Sequence, residues 1–321
     1  MLVTFRYRGQ ARSVRLRGSL ESLGETELRR EGAGEWSLQL DLPSDTRIVY
    51  WFGLDGEDDW KRWLPDPANP NRYVYPAGLE FTGDDEVVGS LLELPDARPW
   101  RWSVERDVPR GAVEEVGIDG RRVWLYTPAG EPSAMLLLFD GHAFTTLAPA
   151  PVVLDNLIAD GLIPPTAAVL LDTLDTKSRW RDLQLNPDFL RWSTEVLLPA
   201  SGFESPPERT VVAGSSLGGL AATYFALQRP DLFGNALVQA GWFPEEIPSG
   251  LPVRWYVDSG RFDDMTGAGT RALRDSLSTA GYDLAYQEYS GGHDFFWWRE
   301  TLADGLIALL GSSGGAAKMP W

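Results

Sequence analysis

Gly214-Ser215-Ser216-Leu217-Gly218-Gly219 is the run in this chain whose residue types and spacing could activate an alcohol. It follows the apolar stretch Thr210–Ala213 and opens a stretch of helical period, Leu217–Gln228. A Gly-x-Ser-x-Gly string between a strand and a helix is the context of a nucleophile elbow, a sharp turn that lifts a serine hydroxyl above the end of a sheet. Glycines on either side leave out the Cβ atoms that would clash in such a turn. The Ser216 hydroxyl would then stand over a helix N-terminus, with the Leu217 N–H free to hold an oxyanion. Ser215 lies off the register of the motif.

A serine nucleophile needs a base, and the base needs an orienting acid. The chain has two histidines, His142 and His293, and only His293 follows Ser216. It sits in Gly291-Gly292-His293-Asp294, directly after the strand-like Leu284–Tyr289. On sheets that carry such an elbow the chain order is nucleophile, acid, histidine. The acid is therefore sought after the preceding strand, where Val253–Val257 leads into Asp258-Ser259-Gly260-Arg261-Phe262-Asp263-Asp264. A carboxylate three residues past the glycine favours Asp263; Asp264 is the neighbouring alternative, and Asp258 belongs to the strand end. A second oxyanion donor is expected in the loop after Leu136–Phe139, at the N–H of Gly141 or His142. The His142 imidazole either lines the pocket or sits on a surface loop, and Asp140 is read as capping that loop.

The elements that must position these groups differ between the two halves of the chain. Up to about residue 106, short alternating runs such as Trp36–Leu40 and Ile48–Phe52 are punctuated by turns, the pattern of a half-buried antiparallel β-sandwich. From about residue 110, runs apolar on both faces (Met135–Phe139, Ala167–Leu171, Thr210–Ala213, Ala236–Val238, Val253–Val257) alternate with helical stretches near 151–160, 187–199, 217–228, 268–280 and 296–310. That alternation predicts a mostly parallel sheet covered by helices on both faces. The reading is an N-terminal β-sandwich over 1–106 and an α/β-hydrolase-type domain over 107–321. The stretch 98–113 is taken as the linker and 311–321 as an unpacked tail.

Composition narrows the chemistry. The 321 residues are 43% hydrophobic and 12% aromatic, as in an ordinary globular chain. Lys and Arg number 29 against 46 Asp and Glu, a net charge of −17. The acidity is spread over both halves, so nucleic acid and anionic membranes would be repelled. The absence of cysteine excludes disulfides, thiolate nucleophiles and Cys-ligated metal, and two histidines do not make a multi-histidine metal centre. The N-terminus has no apolar run of signal-peptide length, and no stretch reaches the ~20 apolar residues of a membrane span. The expectation is a soluble cytoplasmic protein with a small-molecule partner.

Several blocks together resemble the enterochelin esterase family. They are Leu138-Phe139-Asp140-Gly141, Ile163-Pro164-Pro165, Asp172-Thr173-Leu174-Asp175 with Arg179-Trp180-Arg181-Asp182-Leu183, Asn186-Pro187-Asp188-Phe189, and Gly291-Gly292-His293-Asp294 running on to Trp298-Arg299. The N-terminal half is similar to the Ig-like domain of these esterases and to glycogen-binding-type modules of branching enzymes. Trp36, Tyr50, Phe52 and Asp66–Pro70 carry that likeness. The resemblance implies hydrolysis of a catecholate trilactone siderophore through an acyl-enzyme, with no metal cofactor, since iron arrives with the substrate. The family's acid is usually a glutamate after a Gly-x-Arg run; here Gly260-Arg261-Phe262-Asp263 carries its arginine one place earlier and an aspartate.

A ferric tris-catecholate is an anion, which an acidic protein repels at long range, so local cations must dominate at contact. Arg179 and Arg181 are the candidate substrate ligands. Trp180, Trp242, Trp297 and Trp298 are candidates to stack on catechol rings. Two other readings remain, a feruloyl- or acetyl-type carbohydrate esterase whose N-terminal module holds polysaccharide, and a catalytically silent binding protein of the same fold.

Overall fold

The computed structural model describes residues 1–311; the remainder of the stretch read as an unpacked tail, 312–321, lies outside the described residues. The chain divides into two units. One holds Met1–Pro99 together with Gly260–Gly267 and Glu288–His293; the other holds Trp100–Ser259, Ala268–Gln287 and, of the described residues, 294–311.

The first unit is built on seven strands: β1 (Leu2–Arg8), β2 (Val14–Gly18), β3 (Arg29–Gly32), β4 (Glu35–Asp41), β5 (Arg47–Leu54), β6 (Arg72–Tyr75) and β7 (Val87–Glu93). They form two antiparallel sheets, of order β1-β4-β3 and β2-β5-β7-β6. Alternation decides what faces inward. Phe5 and Tyr7 of β1 and Trp36 of β4 meet Val14 and Leu16 of β2 and Ile48, Tyr50 and Phe52 of β5 in one buried cluster. Strand β5 is buried on its other face as well, where Trp51 packs against Trp60, Trp63 and Tyr75. The all-β sandwich read from the period-2 runs is the fold observed.

The second unit carries β8 (Ala112–Ile118), β9 (Arg121–Thr127), β10 (Ala134–Phe139), β11 (Thr166–Leu171), β12 (Thr210–Ser215), β13 (Asn235–Gln239), β14 (Arg254–Gly260) and β15 (Leu284–Tyr289). Its helices are α1 (Ala143–Thr146), α2 (Ala150–Ala159), α3 (Thr176–Leu183), α4 (Pro187–Trp192), α5 (Leu198–Ser201), α6 (Leu217–Gln228), α7 (Gly267–Thr279) and α8 (Phe295–Leu310). The strands form one eight-stranded sheet of order β15-β14-β13-β12-β10-β11-β9-β8. Pairings among β10 to β14 are parallel, whereas β9 runs antiparallel to β11 and makes a hairpin with β8 at the edge.

Because β10 has a core on each side, its whole length is apolar. Met135, Leu137 and Phe139 join the buried cluster that contains Phe189, Leu217 and Phe225, while Leu136 and Leu138 join the one that contains Leu154, Leu157, Leu302 and Leu306. Helix α6 is apolar all round for the same reason, being buried along nearly its full length. The stretch read as a linker is also tied down. Trp102 is 4% exposed within the second of these cores, and the Glu300 carboxylate accepts the N–H groups of Arg101, Trp102 and Ser103. Among the described residues no helix is long and apolar enough to cross a membrane.

Candidate active site

Ser216 is the N-cap of α6, at φ 56° and ψ −121°, a conformation that costs a non-glycine residue of order 1–3 kcal/mol and persists only where the surroundings impose it. They do so here through close backbone approach. A Cβ on Gly214 would lie 2.4 Å from the Gly218 carbonyl, so strand end and helix start meet only without one. The Ser216 N–H donates to Gln239 O at 2.8 Å, which ties the turn to the neighbouring strand. Its side chain is half-buried, and the Leu217 N–H donates to no backbone acceptor among the described residues. Ser215, by contrast, is buried, and its hydroxyl donates to Gln239 Oε1 at 2.9 Å. The Gln239 amide in turn donates to Trp298 O and to Thr301 Oγ1 of α8.

In the other unit Asp263 and His293 meet. The imidazole Nδ1 lies 2.8 Å from Asp263 Oδ2, with an Asp263 side chain that is fully buried and a histidine side chain 11% exposed. Asp263 Oδ1 also accepts the N–H groups of Met265 and Thr266, and Oδ2 accepts the Thr266 hydroxyl. Burial alone would raise this carboxyl, but the hydrogen bonds from His293 and Thr266 outweigh it and hold it below the ordinary carboxylate range. An ionised Asp263 fixes the proton on Nδ1 and leaves Nε2 as the basic nitrogen. Asp264 is exposed, and its carboxyl is raised by burial of part of the group and by the adjacent Asp263 charge. Of the two acids that spacing leaves as alternatives, Asp263 is the one hydrogen-bonded to His293.

The loop after β10 differs in detail from the sequence reading. The Gly141 N–H donates to Leu171 O at 2.8 Å, so Gly141 is not available as an oxyanion donor; the His142 N–H has no backbone acceptor among the described residues. Gly141 is needed for another reason, since a Cβ there would sit 2.7 Å from the Leu170 carbonyl. The His142 ring stacks on Trp124 at 5.7 Å, and Arg122 Nη2 approaches its Nδ1 at 3.4 Å. Asp140 holds the loop from a positive φ of 56°.

Arg179 is not a free substrate ligand. Its guanidinium grips Asp140 with Nε at 2.8 Å and Nη2 at 2.9 Å, and Thr173 donates to the same carboxylate. Arg181 keeps a side chain 56% exposed while pairing with Asp182 at 2.7 Å, and Trp180 beside it is 48% exposed. Trp242 is half-buried against the core, with Gly269 pressed on its Cβ. Trp297 and Trp298 are core residues, 4% and 2% exposed, and present no face to a ligand. Sequence reasoning missed Arg122, which pairs with Asp172 at 2.7 Å and lies over the Trp124 ring at 4.7 Å with a side chain 40% exposed. It also missed Thr266 and Gln239. The alternation in Arg121–Thr127 would have put Arg122 and Trp124 on one face of a strand.

Residues 121–262 match the esterase family model. The chain is 30% identical over 330 residues to the iron(III) enterobactin esterase of Escherichia coli K12, an alignment that covers 88% of this chain and 80% of that protein. Among solved structures it is similar to the enterobactin esterase of Shigella flexneri crystallised in the presence of enterobactin, with a TM-score of 0.74 and 26% identity over 96% of this chain and 92% of that one. The ferric enterobactin esterase of Salmonella typhimurium superposes with a TM-score of 0.75 at 25% identity, covering 96% and 93% of the two chains.

Proposed function

This chain belongs to the iron(III) enterobactin esterase family, and on that premise we propose that it hydrolyses the ester bonds of a catecholate trilactone siderophore through an acyl-enzyme on Ser216. Iron enters as part of the substrate and is released when the scaffold is cut. Ser216 Oγ attacks the ester carbonyl while His293 Nε2 accepts its proton. The tetrahedral oxyanion is held by the N–H groups of Leu217 and His142. Collapse expels the substrate's alkoxide, which takes that proton from His293, and water then repeats the two steps on the acyl-enzyme. Asp263 keeps the imidazole in the required tautomer and stabilises it when charged.

The observation that carries this reading is the Asp263–His293 hydrogen bond at 2.8 Å, on the only histidine that follows a serine held at positive φ at the start of a helix. Arg181 and Arg122, both partly exposed, are the cations proposed to meet the anionic catecholates, with Trp180 and Trp242 as stacking surfaces. Mass spectrometry of the products from ferric and iron-free trilactones tests the substrate class. A ladder of dihydroxybenzoyl-serine units is expected; intact trilactone after prolonged incubation would refute it. Ser216→Ala should lower kcat by about 10^4-fold or more while ligand binding persists.

A further inference from the structure

Both segments that carry the acid–base pair are laced into the N-terminal unit. Phe262, next to Asp263, is 5% exposed and belongs to the same buried cluster as Phe5, Leu16, Tyr50 and Phe52 of the sandwich. The main chain of β5 reaches the histidine segment, where the Arg47 N–H donates to Ser290 O at 3.0 Å. Arg47 is itself immobilised, 3% exposed with its guanidinium 2.6 Å from Glu93. The two segments also bind each other, through Arg261 N–H to Tyr289 O and Phe262 N–H to Gly291 O, each at 2.9 Å. Finally, the residue before His293 is pressed against the sandwich. A Cβ on Gly292 would fall 1.7 Å from Ser19 Oγ and 2.0 Å from Ser19 Cβ, at the start of the short 3-10 turn Ser19–Leu23.

We propose that the N-terminal sandwich positions the acid–base pair, and that the close approach of Gly292 to Ser19 sets where His293 stands. Three residues close to the pair are fixed by this unit: Phe262 by burial, Ser290 by a ladder-type hydrogen bond and Gly292 by contact. Displacing a catalytic group by about 1 Å costs about 100-fold in rate, so a scaffold that fixes both members of the pair acts on kcat rather than on substrate affinity. Gly292, Ser19 and Phe262 are positioning residues, since none of them is placed on the reacting atoms. This inference rests on the assignment of Asp263 and His293 to ester hydrolysis, and it gives the sandwich a role that needs no ligand of its own.

The test is a steric cycle in the full-length protein. Gly292→Ala is expected to lower kcat about 100-fold with KM little changed, because the added methyl must push the His293 segment away from Ser19. Gly292→Ala combined with Ser19→Gly should recover most of the loss, because the methyl then has room. The hydrogen-bonded Nδ1–H proton of His293, one of only two histidines, gives an NMR signature that should shift in Gly292→Ala and return in the double variant. Wild-type kcat in Gly292→Ala, or a loss that Ser19→Gly does not restore, overturns the proposal. If Gly292→Ala does not fold, Phe262→Leu takes its place: lowered kcat with an altered Nδ1–H signal supports the proposal, and unchanged values of both overturn it. The NMR arm needs no substrate, so failure of the wild type to cut a trilactone would refute the functional reading and still leave this inference decided.

Discussion

Two aspartates five positions apart on the same strand exit are driven in opposite directions by their surroundings. Asp263 is buried but receives hydrogen bonds from His293, Met265 and Thr266, and its carboxyl stays below the ordinary range. Asp258 is fully buried across from Gln239, and burial, reinforced by the Asp304 carboxyl, pushes it up to about 8. The first is the ionised partner a histidine base requires; the second is a neutral acid beneath the sheet end. Asp263→Asn keeps the shape but lets the imidazole adopt the wrong tautomer, and kcat should fall by about 10^4-fold, read in steady-state kinetics at neutral pH. For Asp258 the sign runs the other way round. Between the usual carboxyl range and about 8 the folded state holds a proton that the unfolded state has lost. Its contribution is complete in acid and lost as pH rises, by up to about 1.4 kcal/mol per pH unit. Asp258→Asn removes that slope, so urea unfolding from pH 4.5 to 8 (roughly the window in question) should show the variant gaining on wild type as pH rises. Parallel stability curves would show that Asp258 is ionised when folded.

Helix α3 (which carries the proposed contacts Trp180 and Arg181) also acts on the site through Arg179, as a clamp rather than as a ligand. Its N-terminus is capped by Asp175, which accepts the Ser178 N–H at 2.7 Å, and one turn later Arg179 clamps Asp140. The clamp holds the β10 exit in a positive-φ turn and so presents the His142 N–H. Arg179→Met would leave the Asp140 carboxylate buried without its partner, a loss of about 3 kcal/mol. The expected outcome is a lower unfolding midpoint and a lower kcat with KM nearly constant; a rise in KM alone would instead make Arg179 a substrate ligand. This helix was hidden from the sequence because Lys177, Ser178, Arg179, Arg181 and Asp182 give it almost no apolar stripe, and its order comes from ion pairs that no period reports. The β8–β9 hairpin was hidden differently. Its marker is Asp119-Gly120, both at positive φ (50° and 77°), the dipeptide that two-residue hairpin turns favour, but the exposed edge strand Ala112–Ile118 shows little alternation to flag it. By contrast β10 to β14, α6 and α8 were legible, because strands packed on both faces become continuous apolar runs. Ser216 and His293 could be singled out as candidates because an elbow needs glycines and histidine is scarce here. The Gly141 amide and the Trp297 and Trp298 rings were misread, since sequence cannot say which N–H is already paired or which tryptophans fill a core.

At the scale of the whole molecule the dominant fact is a net charge of −17, from 46 acidic and 29 basic side chains. A ferric tris-catecholate, the substrate proposed here, carries charge of the same sign, so the diffuse field opposes the encounter while the partly exposed Arg122 and Arg181 favour the final contact. The two contributions have different reach. Salt at 0.01 M leaves a Debye length of about 30 Å and at 0.15 M about 8 Å, so added salt removes the long-range repulsion well before it weakens an ion pair in contact. For the ferric trilactone, kcat/KM should therefore rise several-fold, by about 2–10-fold, between those two ionic strengths, with kcat unchanged because chemistry follows capture. An uncharged aryl ester cut by the same serine should show no comparable rise. A kcat/KM that instead falls with salt would mean that the arginines, not the sum of the surface charge, govern approach. Charge-reversing Arg122→Glu and Arg181→Glu would then lower the low-salt rate most steeply.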